Sequence, residues 1–219
     1  MPEAEYRAIR PHLQHIHLPA GHTLHEPSER LRFAYFLNSG LVSLLVGTED
    51  GKTVEAGIVG SEGVCGIPAA VGLTRSLLRE VAVVATDGFR VESGTILNIL
   101  KSATQLQMRL SRYAVIQGTQ IAQTVACNRL HHIEQRLARW LLMAQDRVDF
   151  PVVKITHDFL ATVLGTNRPT VSHAAAVLQK RKCITYARGK IRIVDREALE
   201  TSSCECYWVI RQFERNGRP

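Results

Sequence analysis

The chain has 219 residues, 45% of them apolar, and 27 Lys+Arg against 20 Asp+Glu give it a formal charge of +7. That is enough apolar sequence to build one or two cored domains, and it excludes a disordered protein. The apolar run Val81-Ala82-Val83-Val84-Ala85 is far shorter than the roughly 18 residues of a bilayer span, so no membrane protein is expected.

The start, Met1-Pro2-Glu3-Ala4-Glu5, is acidic and lacks the basic-then-apolar plan of a secretory signal, which predicts a cytoplasmic chain. Its five cysteines, Cys65, Cys127, Cys183, Cys204 and Cys206, are an odd number and read as reduced thiols rather than a disulfide scaffold. The charge is unevenly placed. Basic and acidic residues cancel up to residue 127, whereas residues 154–192 hold eight basic side chains against the single Asp158. Such a segment is the footprint of a polyanion-binding module, because each Lys or Arg set on a phosphate releases condensed counterions. A merely solvated basic face is the alternative, and a local structural signature has to decide.

Residues 16–100 read as short strands with turn punctuation. The runs Leu18-Pro19-Ala20-Gly21-His22-Thr23-Leu24, Phe33-Ala34-Tyr35-Phe36-Leu37, Leu41-Val42-Ser43-Leu44-Leu45-Val46 and Val81-Ala82-Val83-Val84-Ala85 recur every 8–12 residues or so, the rhythm of an all-β barrel or sandwich. Asp50-Gly51 predicts a hairpin turn and Asp87-Gly88 a second turn, since glycine takes positive φ without steric penalty.

Residues 103–145 contain no proline and one glycine, and Leu106, Leu110, Ala114, Ile121, Val125, Leu130, Ile133, Leu137, Trp140 and Leu141 recur at helical steps. A long helix broken once is predicted, with the break at His131-His132, in a patch that also holds Asn128 and Arg129. A helix of some 25 residues spans roughly 35–40 Å, more than one small domain covers, so its apolar stripe is expected to face a second copy in a homodimer.

Residues 152–195 carry the clearest grammar. Ala161 is small enough for a second helix to pack on the first, Gly165 takes a tight turn four positions later, and Val171 plugs the second helix into the core. Asn167 is placed to cap that helix, and Pro169 is tolerable in its first turn. Beyond it, Ile184-Thr185-Tyr186-Ala187-Arg188-Gly189-Lys190-Ile191-Arg192-Ile193-Val194 alternates on both sides of a glycine turn, as a β-wing does.

The order β-barrel, long dimer helix, winged helix-turn-helix resembles the Crp/Fnr family of bacterial transcription regulators over about residues 16–195. Its carriers are Met108-Arg109-Leu110-Ser111 on the long helix, Arg136-Leu137-Ala138 and Leu141-Leu142 after the break, and Leu164-Gly165-Thr166-Asn167-Arg168-Pro169-Thr170-Val171 in the reading head. The resemblance implies an α+β chain. Residues 1–102 would form a cyclic-nucleotide-binding-like β-roll with jelly-roll character, 103–130 a dimerisation helix, and 131–219 a winged helix-turn-helix with a C-terminal tail. It further implies that the second helix of the motif lies in the major groove with its first side chains on base edges, while the wing and the start of the first helix hold phosphates.

Arg168 matches a base-reading arginine of the family, whose fork suits guanine O6 and N7. A glutamate commonly follows it in the family; here Pro169 stands there, so a different target sequence is expected. His173 falls where the cyclic-AMP-responsive member has a second base-reading arginine, and Thr170 is a third candidate reader. Thr156, His157, Ser172, Arg188, Lys190 and Arg192 are the phosphate candidates.

The sensor positions depart from the cyclic-AMP pattern. In Gly63-Val64-Cys65-Gly66, Val64 stands where the ribose glutamate would fall, Arg79 is followed by Glu80, and Ile121 and Ala122 replace the polar pair on the long helix. Cyclic AMP is therefore not expected as the effector, and a simple Arg79–Glu80 salt bridge is. No cysteine precedes Cys65, so an Fnr-type iron–sulfur cluster is not expected either. The spacing of His12, His15, His17, His22 and His25 matches no ligand motif, and no metal is expected. Cys127, near the end of the dimer helix, is a candidate redox switch, against the alternative of a small buried apolar residue. Cys204-x-Cys206 is weak evidence for metal, and its tail is expected to form a short helix docking on the body.

No Gly-rich phosphate loop, nucleophile elbow, His-Glu-x-x-His helix or assignable acid pair occurs, and an enzyme is not expected. The function expected is a homodimeric, sequence-specific regulator on a palindromic DNA site, in contact with RNA polymerase, controlled by an effector other than cyclic AMP or by none. The alternative is a ligand-binding regulatory module that docks on a partner protein and binds nucleic acid nonspecifically.

Overall fold

The computed structural model describes residues 1–148, 152–187 and 189–217. It is an α+β chain in the element order α1 (Glu3–Ile9), β1 (Gln14–Leu18), β2 (Thr23–His25), β3 (Phe33–Ser39), β4 (Val42–Gly47), β5 (Thr53–Val59), β6 (Val64–Cys65), β7 (Arg79–Ala82), β8 (Thr86–Glu92), α2 (Ser93–Leu100), α3 (Thr104–Leu130), α4 (Ile133–Gln145), β9 (Val152–Lys154), α5 (His157–Val163), α6 (Arg168–Lys180), β10 (Ile184–Ala187), β11 (Lys190–Ile193), α7 (Arg196–Ser202) and α8 (Cys206–Gly217). Two compact units form: residues 1–44 with 59–118, and residues 45–58 with 119–219. None of the described helices is long and apolar enough to cross a membrane.

The N-terminal strands make two four-stranded sheets, in the orders β1-β8-β3-β6 and β2-β7-β4-β5. In the first unit, Ile16, Leu18, Leu24, Tyr35, Leu37, Val42, Leu44 and Ala82, drawn from both sheets, close on one another as a core. A second cluster joins Ile9, Ala34, Val91, Ile96, Leu100, Leu106 and Leu110, so α1, α2 and the start of α3 pack against the β1-β8-β3-β6 sheet. The Glu5 carboxylate accepts from the amides of Gln105 and Leu106 at 3.0 and 2.8 Å, which satisfies first-turn donors of α3 that have no intrahelical partner.

Asp50-Gly51 lies in the β4–β5 connection, with Gly51 at φ +80°. Two strand expectations need correction. The run 18–24 is not one strand: β1 ends at Leu18, His22 N donates to Pro19 O at 3.1 Å, and β2 starts at Thr23. Asp87-Gly88 is not a turn but lies inside β8, where Asp87 pairs with His17 and Gly88 with Ile16. A Cβ at Gly88 would collide with the Phe36 carbonyl oxygen. Glycine is needed there for the close approach of β3 rather than for a change of direction.

The second unit packs α4 against α6, α7 and α8, and α5 against α6. Its core is made by Leu137, Leu141, Leu142, Leu160, Val171, Ala174, Leu178, Ile184, Ile191 and Tyr207. Strands β10, β11 and β9 form its sheet, with Ile184 opposite Ile193 and Ala187 opposite Lys190. Helix α3 stops at Leu130 and α4 begins at Ile133, capped by His132 and Gln135 in a reciprocal box. The hairpin arm 45–58 belongs to this unit, where Trp140 Nε1 donates to Glu55 Oε1 at 2.7 Å and Ile58 N to Gln120 Oε1 at 2.8 Å.

Candidate nucleic-acid interface

Local chemistry sets the geometry of the reading head. Thr156 caps α5 by accepting from Phe159 N at 3.2 Å. Gly165, at φ +56°, turns the chain, and a Cβ there would come within 3.0 Å of Val54 Cγ2. Asn167 then caps α6: its Oδ1 accepts from Thr170 N at 2.9 Å and from Thr170 Oγ1 at 2.8 Å. Val171, Ala174, Ala175 and Leu178 form the buried face of α6, which leaves Arg168, Pro169, His173 and Ala176 exposed on the opposite side.

Arg168 stands in the first turn of α6, where the helix dipole and its own charge have the same sign. Its side chain is 66% exposed and has one loose ion-pair partner, Asp158 at 3.5 Å, equally exposed. His173 is exposed one turn beyond Pro169. The Thr170 hydroxyl is engaged by the cap, so its first role is to hold the N-terminus of α6.

His157 Nδ1 lies 2.8 Å from Ser172 Oγ, and the ring stacks on Tyr186 with centroids 3.9 Å apart and planes 18° from parallel. Burial, followed by the nearby charge of Arg168, lowers its pKa below the ordinary histidine value. Thr156, His157 and Ser172 therefore come together, and all three also have structural tasks. Tyr186 N donates to Gln179 Oε1 at 2.9 Å, which fastens the wing to α6. Lys190 and Arg192 share the exposed face of β11. Arg188 lies outside the described residues.

The candidate sensor residues are arranged differently from the expectation. Arg79 and Glu80 do not pair, because successive residues of a strand point to opposite faces. Arg79 faces outward, with Nε 3.2 Å from Glu26 Oε1 and Nη2 donating to Thr23 Oγ1 at 3.3 Å. Glu80 faces the interior at 3% exposure and accepts from Gly66 N at 3.1 Å.

Burial pushes the Glu80 carboxyl up to about 7, against the pull of the Gly66 amide. Burial also brings His25 down to about 4, against a backbone contact at Phe33. Their 3.8 Å separation is too long for a hydrogen bond, and both groups favour the neutral form, so near pH 6 they are apposed uncharged groups rather than an ion pair. Val64 is buried opposite Phe36, and a Cβ on Gly63 would collide with the Tyr113 hydroxyl and ring. On α3, Ile121 is half-buried and Ala122 exposed.

Three contacts of this unit leave no mark in the sequence. Asp158 stands in the sequence as a lone charge, yet it is the partner of Arg168. Tyr186 reads as a wing residue, yet it is the platform for His157. Glu55 and Trp140 give no signal, because 85 residues separate them in the chain. Cys127 is fully buried and touches Cys204.

Comparison with known proteins agrees with this geometry. The model of the Crp-like helix-turn-helix domain matches residues 135–202. No curated protein sequence matches the chain. Among solved structures, FixK2 from Bradyrhizobium japonicum superposes with a TM-score of 0.75 at 15% identity, over 88% of this chain and 98% of that one. A Crp/Fnr-family transcriptional regulator of Thermus thermophilus gives 0.72 at 21% identity, over 87% and 98%. The c-di-GMP-responsive global regulator CLP of Xanthomonas campestris gives 0.73 at 11% identity, over 89% and 100%. At these identities the likeness to the solved structures is one of fold.

Proposed function

We propose that this chain, which carries a match to the Crp-like helix-turn-helix domain over residues 135–202 and shares its fold with Crp/Fnr-family structures, is a transcription regulator of that type that acts as a homodimer and reads a palindromic DNA site through α6. The observation that carries the reading is the start of α6. A capped helix leaves Arg168 and His173 exposed, in a chain segment whose charge is almost wholly basic, with Lys190 and Arg192 exposed on the wing. Arg168, His173 and Thr170 are the base-reading set. Thr156, His157, Ser172, Lys190 and Arg192 hold phosphates, and Arg188 belongs with them by its place in the sequence.

Dimerisation through 103–130 rests on α3. Met108, Ser111, Val115, Gly118, Ala122 and Val125 follow a three-then-four spacing along its exposed side, with Met108, Val115 and Val125 at 51, 63 and 66% exposure. A seam of period 3.5 with apolar Met108, Val115 and Val125 on it is the pattern by which two helices pack knobs-into-holes in a parallel coiled coil. Two copies so joined present two reading helices about one DNA turn apart.

The sensor residues support control by an effector other than cyclic AMP, or by none. No carboxylate stands at position 64, and Glu80, turned inward, offers nothing to a phosphate. Contact with RNA polymerase follows from the regulator role where the protein activates.

Selection of binding sites from random DNA by the purified protein tests the reading. A palindromic site preferred by about a thousandfold over random sequence supports it. An asymmetric site overturns the dimer. Steeply salt-dependent binding without a preferred site overturns sequence-specific regulation in favour of a nonspecific module that docks on another protein.

A further inference from the structure

Away from the reading head, the second unit gathers four side chains that are far apart in the sequence. Cys127 lies on the last turn of α3, His131 follows that helix, and Cys204 and Cys206 lie between α7 and the start of α8. Cys127 Sγ is 3.5 Å from Cys204 Sγ, and Cys206 Sγ is 3.6 Å from His131 Nδ1. All four potential ligand atoms lie within 4.8 Å of one another. The three cysteines are buried and form a cluster of their own, separate from the aliphatic cores.

These spacings have a specific meaning for metal chemistry. A tetrahedral zinc ion with bonds of about 2.3 Å to sulfur and about 2.0–2.1 Å to nitrogen separates its ligands by about 3.8 Å between sulfurs and about 3.5 Å between sulfur and nitrogen. The Cys127–Cys204 and Cys206–His131 separations lie close to those edges. We infer that Cys127, His131, Cys204 and Cys206 form a structural site for one zinc-class divalent cation.

The surroundings are those of ligands to a metal. His131 Nε2 bonds to Glu205 Oε1 at 3.1 Å, which fixes the tautomer and leaves the Nδ1 lone pair on the side of Cys206. Gln123 Nε2 donates to Cys206 Sγ at 3.0 Å, an interaction that strengthens when the sulfur is a thiolate. Three thiolates on a dication leave one net negative charge, and Arg139, buried and within electrostatic reach of Cys127, offsets it.

An iron–sulfur cluster fits less well, because ligands on its different irons are held apart by the irons and their bridging sulfides, whereas all four ligand atoms here lie within 4.8 Å of one another, as around a single ion. A Cys127–Cys204 disulfide would require the sulfurs to close to about 2.05 Å, and it would leave Cys206 and its histidine without a purpose. The bound ion joins the end of α3 to the α7–α8 turn, across 75 to 77 residues of sequence, so its binding energy is folding energy of this unit.

The test is metal analysis of the full chain purified under reducing conditions, followed by exchange with cobalt. About one zinc per chain is expected, and the cobalt form should show intense tetrahedral d–d absorption with a thiolate-to-metal charge-transfer band. Cys127→Ser and Cys206→Ser should lose the ion and the band, Cys65→Ser in the other unit should keep both, and a strong chelator should lower the melting temperature. His131→Cys should retain the ion with a shifted cobalt spectrum, a readout that loss of folding cannot imitate. A weak octahedral cobalt spectrum of the wild type, iron in place of zinc, a Cys127–Cys204 disulfide in the reduced preparation, or a spectrum unmoved by Cys206→Ser would each overturn the site.

Discussion

Replacing Arg168 by alanine separates recognition from folding, because the structure assigns the side chain almost no structural work. It is 66% exposed and its one ion pair, to Asp158 at 3.5 Å, is solvated on both sides. Exposed pairs of this kind contribute about 0–1 kcal/mol, so the melting temperature should barely move. On DNA, an arginine that reads guanine is worth roughly 1–3 kcal/mol, and a homodimer loses two of them. The expected change is therefore about 2–6 kcal/mol on the full palindrome, or a weakening of roughly thirtyfold to twenty-thousandfold. Fluorescence anisotropy on the selected site, and on single-base-pair variants of it, reads both the loss and its pattern. Arg168→Ala should flatten discrimination at one symmetric pair of positions while other positions keep theirs. Lys190→Ala is the control: it should weaken every sequence alike and reduce the salt slope by about 0.9 for each phosphate no longer neutralised. An Arg168→Ala protein that loses affinity uniformly, with a reduced salt slope and unchanged base discrimination, would refute the base-reading role.

Asn167→Ala removes the acceptor of two hydrogen bonds at the start of α6 and should cost about 1 kcal/mol in urea denaturation, whereas Asn167→Asp should retain that stability, since an ionised carboxylate caps equally well. Val125→Glu sets like charges on the proposed α3 seam, and sedimentation should show monomer where the wild type is a dimer, with helicity by circular dichroism unchanged. The His25 and Glu80 pair makes a prediction with opposing signs. Glu80 titrates at about 7 in the folded chain against 4.5, so the folded state keeps a proton that the unfolded chain releases, and stability falls as pH rises through that window. His25 titrates at about 4 against 6.5, so the unfolded chain binds the extra proton, and stability falls as pH drops from 6.5 toward 4. The two slopes cancel where the windows overlap, and above pH 7 the Glu80 deficit stands alone. Glu80→Gln should therefore stabilise the protein at pH 8 by up to about 3 kcal/mol and at pH 5 by no more than about 1 kcal/mol. An equal effect at both values would show that ionisation of this carboxyl is not what limits stability at high pH.

The parts of this protein that the sequence determined are those whose interactions are local or periodic. Gly165, Asn167 and Val171 specify the helix-turn-helix within seven residues, because a positive φ, a side-chain cap reaching three residues on, and a buried helix face are all short-range requirements. The same holds for the length of α3, for the α3–α4 interruption at His131-His132, and for the hairpin turn at Gly51. Reading from neighbours failed where neighbours in sequence are not neighbours in space. Arg79 and Glu80 are adjacent in sequence and face opposite sides of one strand. Asp87-Gly88 has the composition of a turn and lies mid-strand because β3 passes too close for a side chain. Tertiary structure alone decided the burial of Glu80 beside His25 and the pairing of Glu55 with Trp140. It also brought Cys127 and His131 to Cys204 and Cys206, since a group whose partners lie 75 or more residues away leaves no periodic or local trace for the sequence to display.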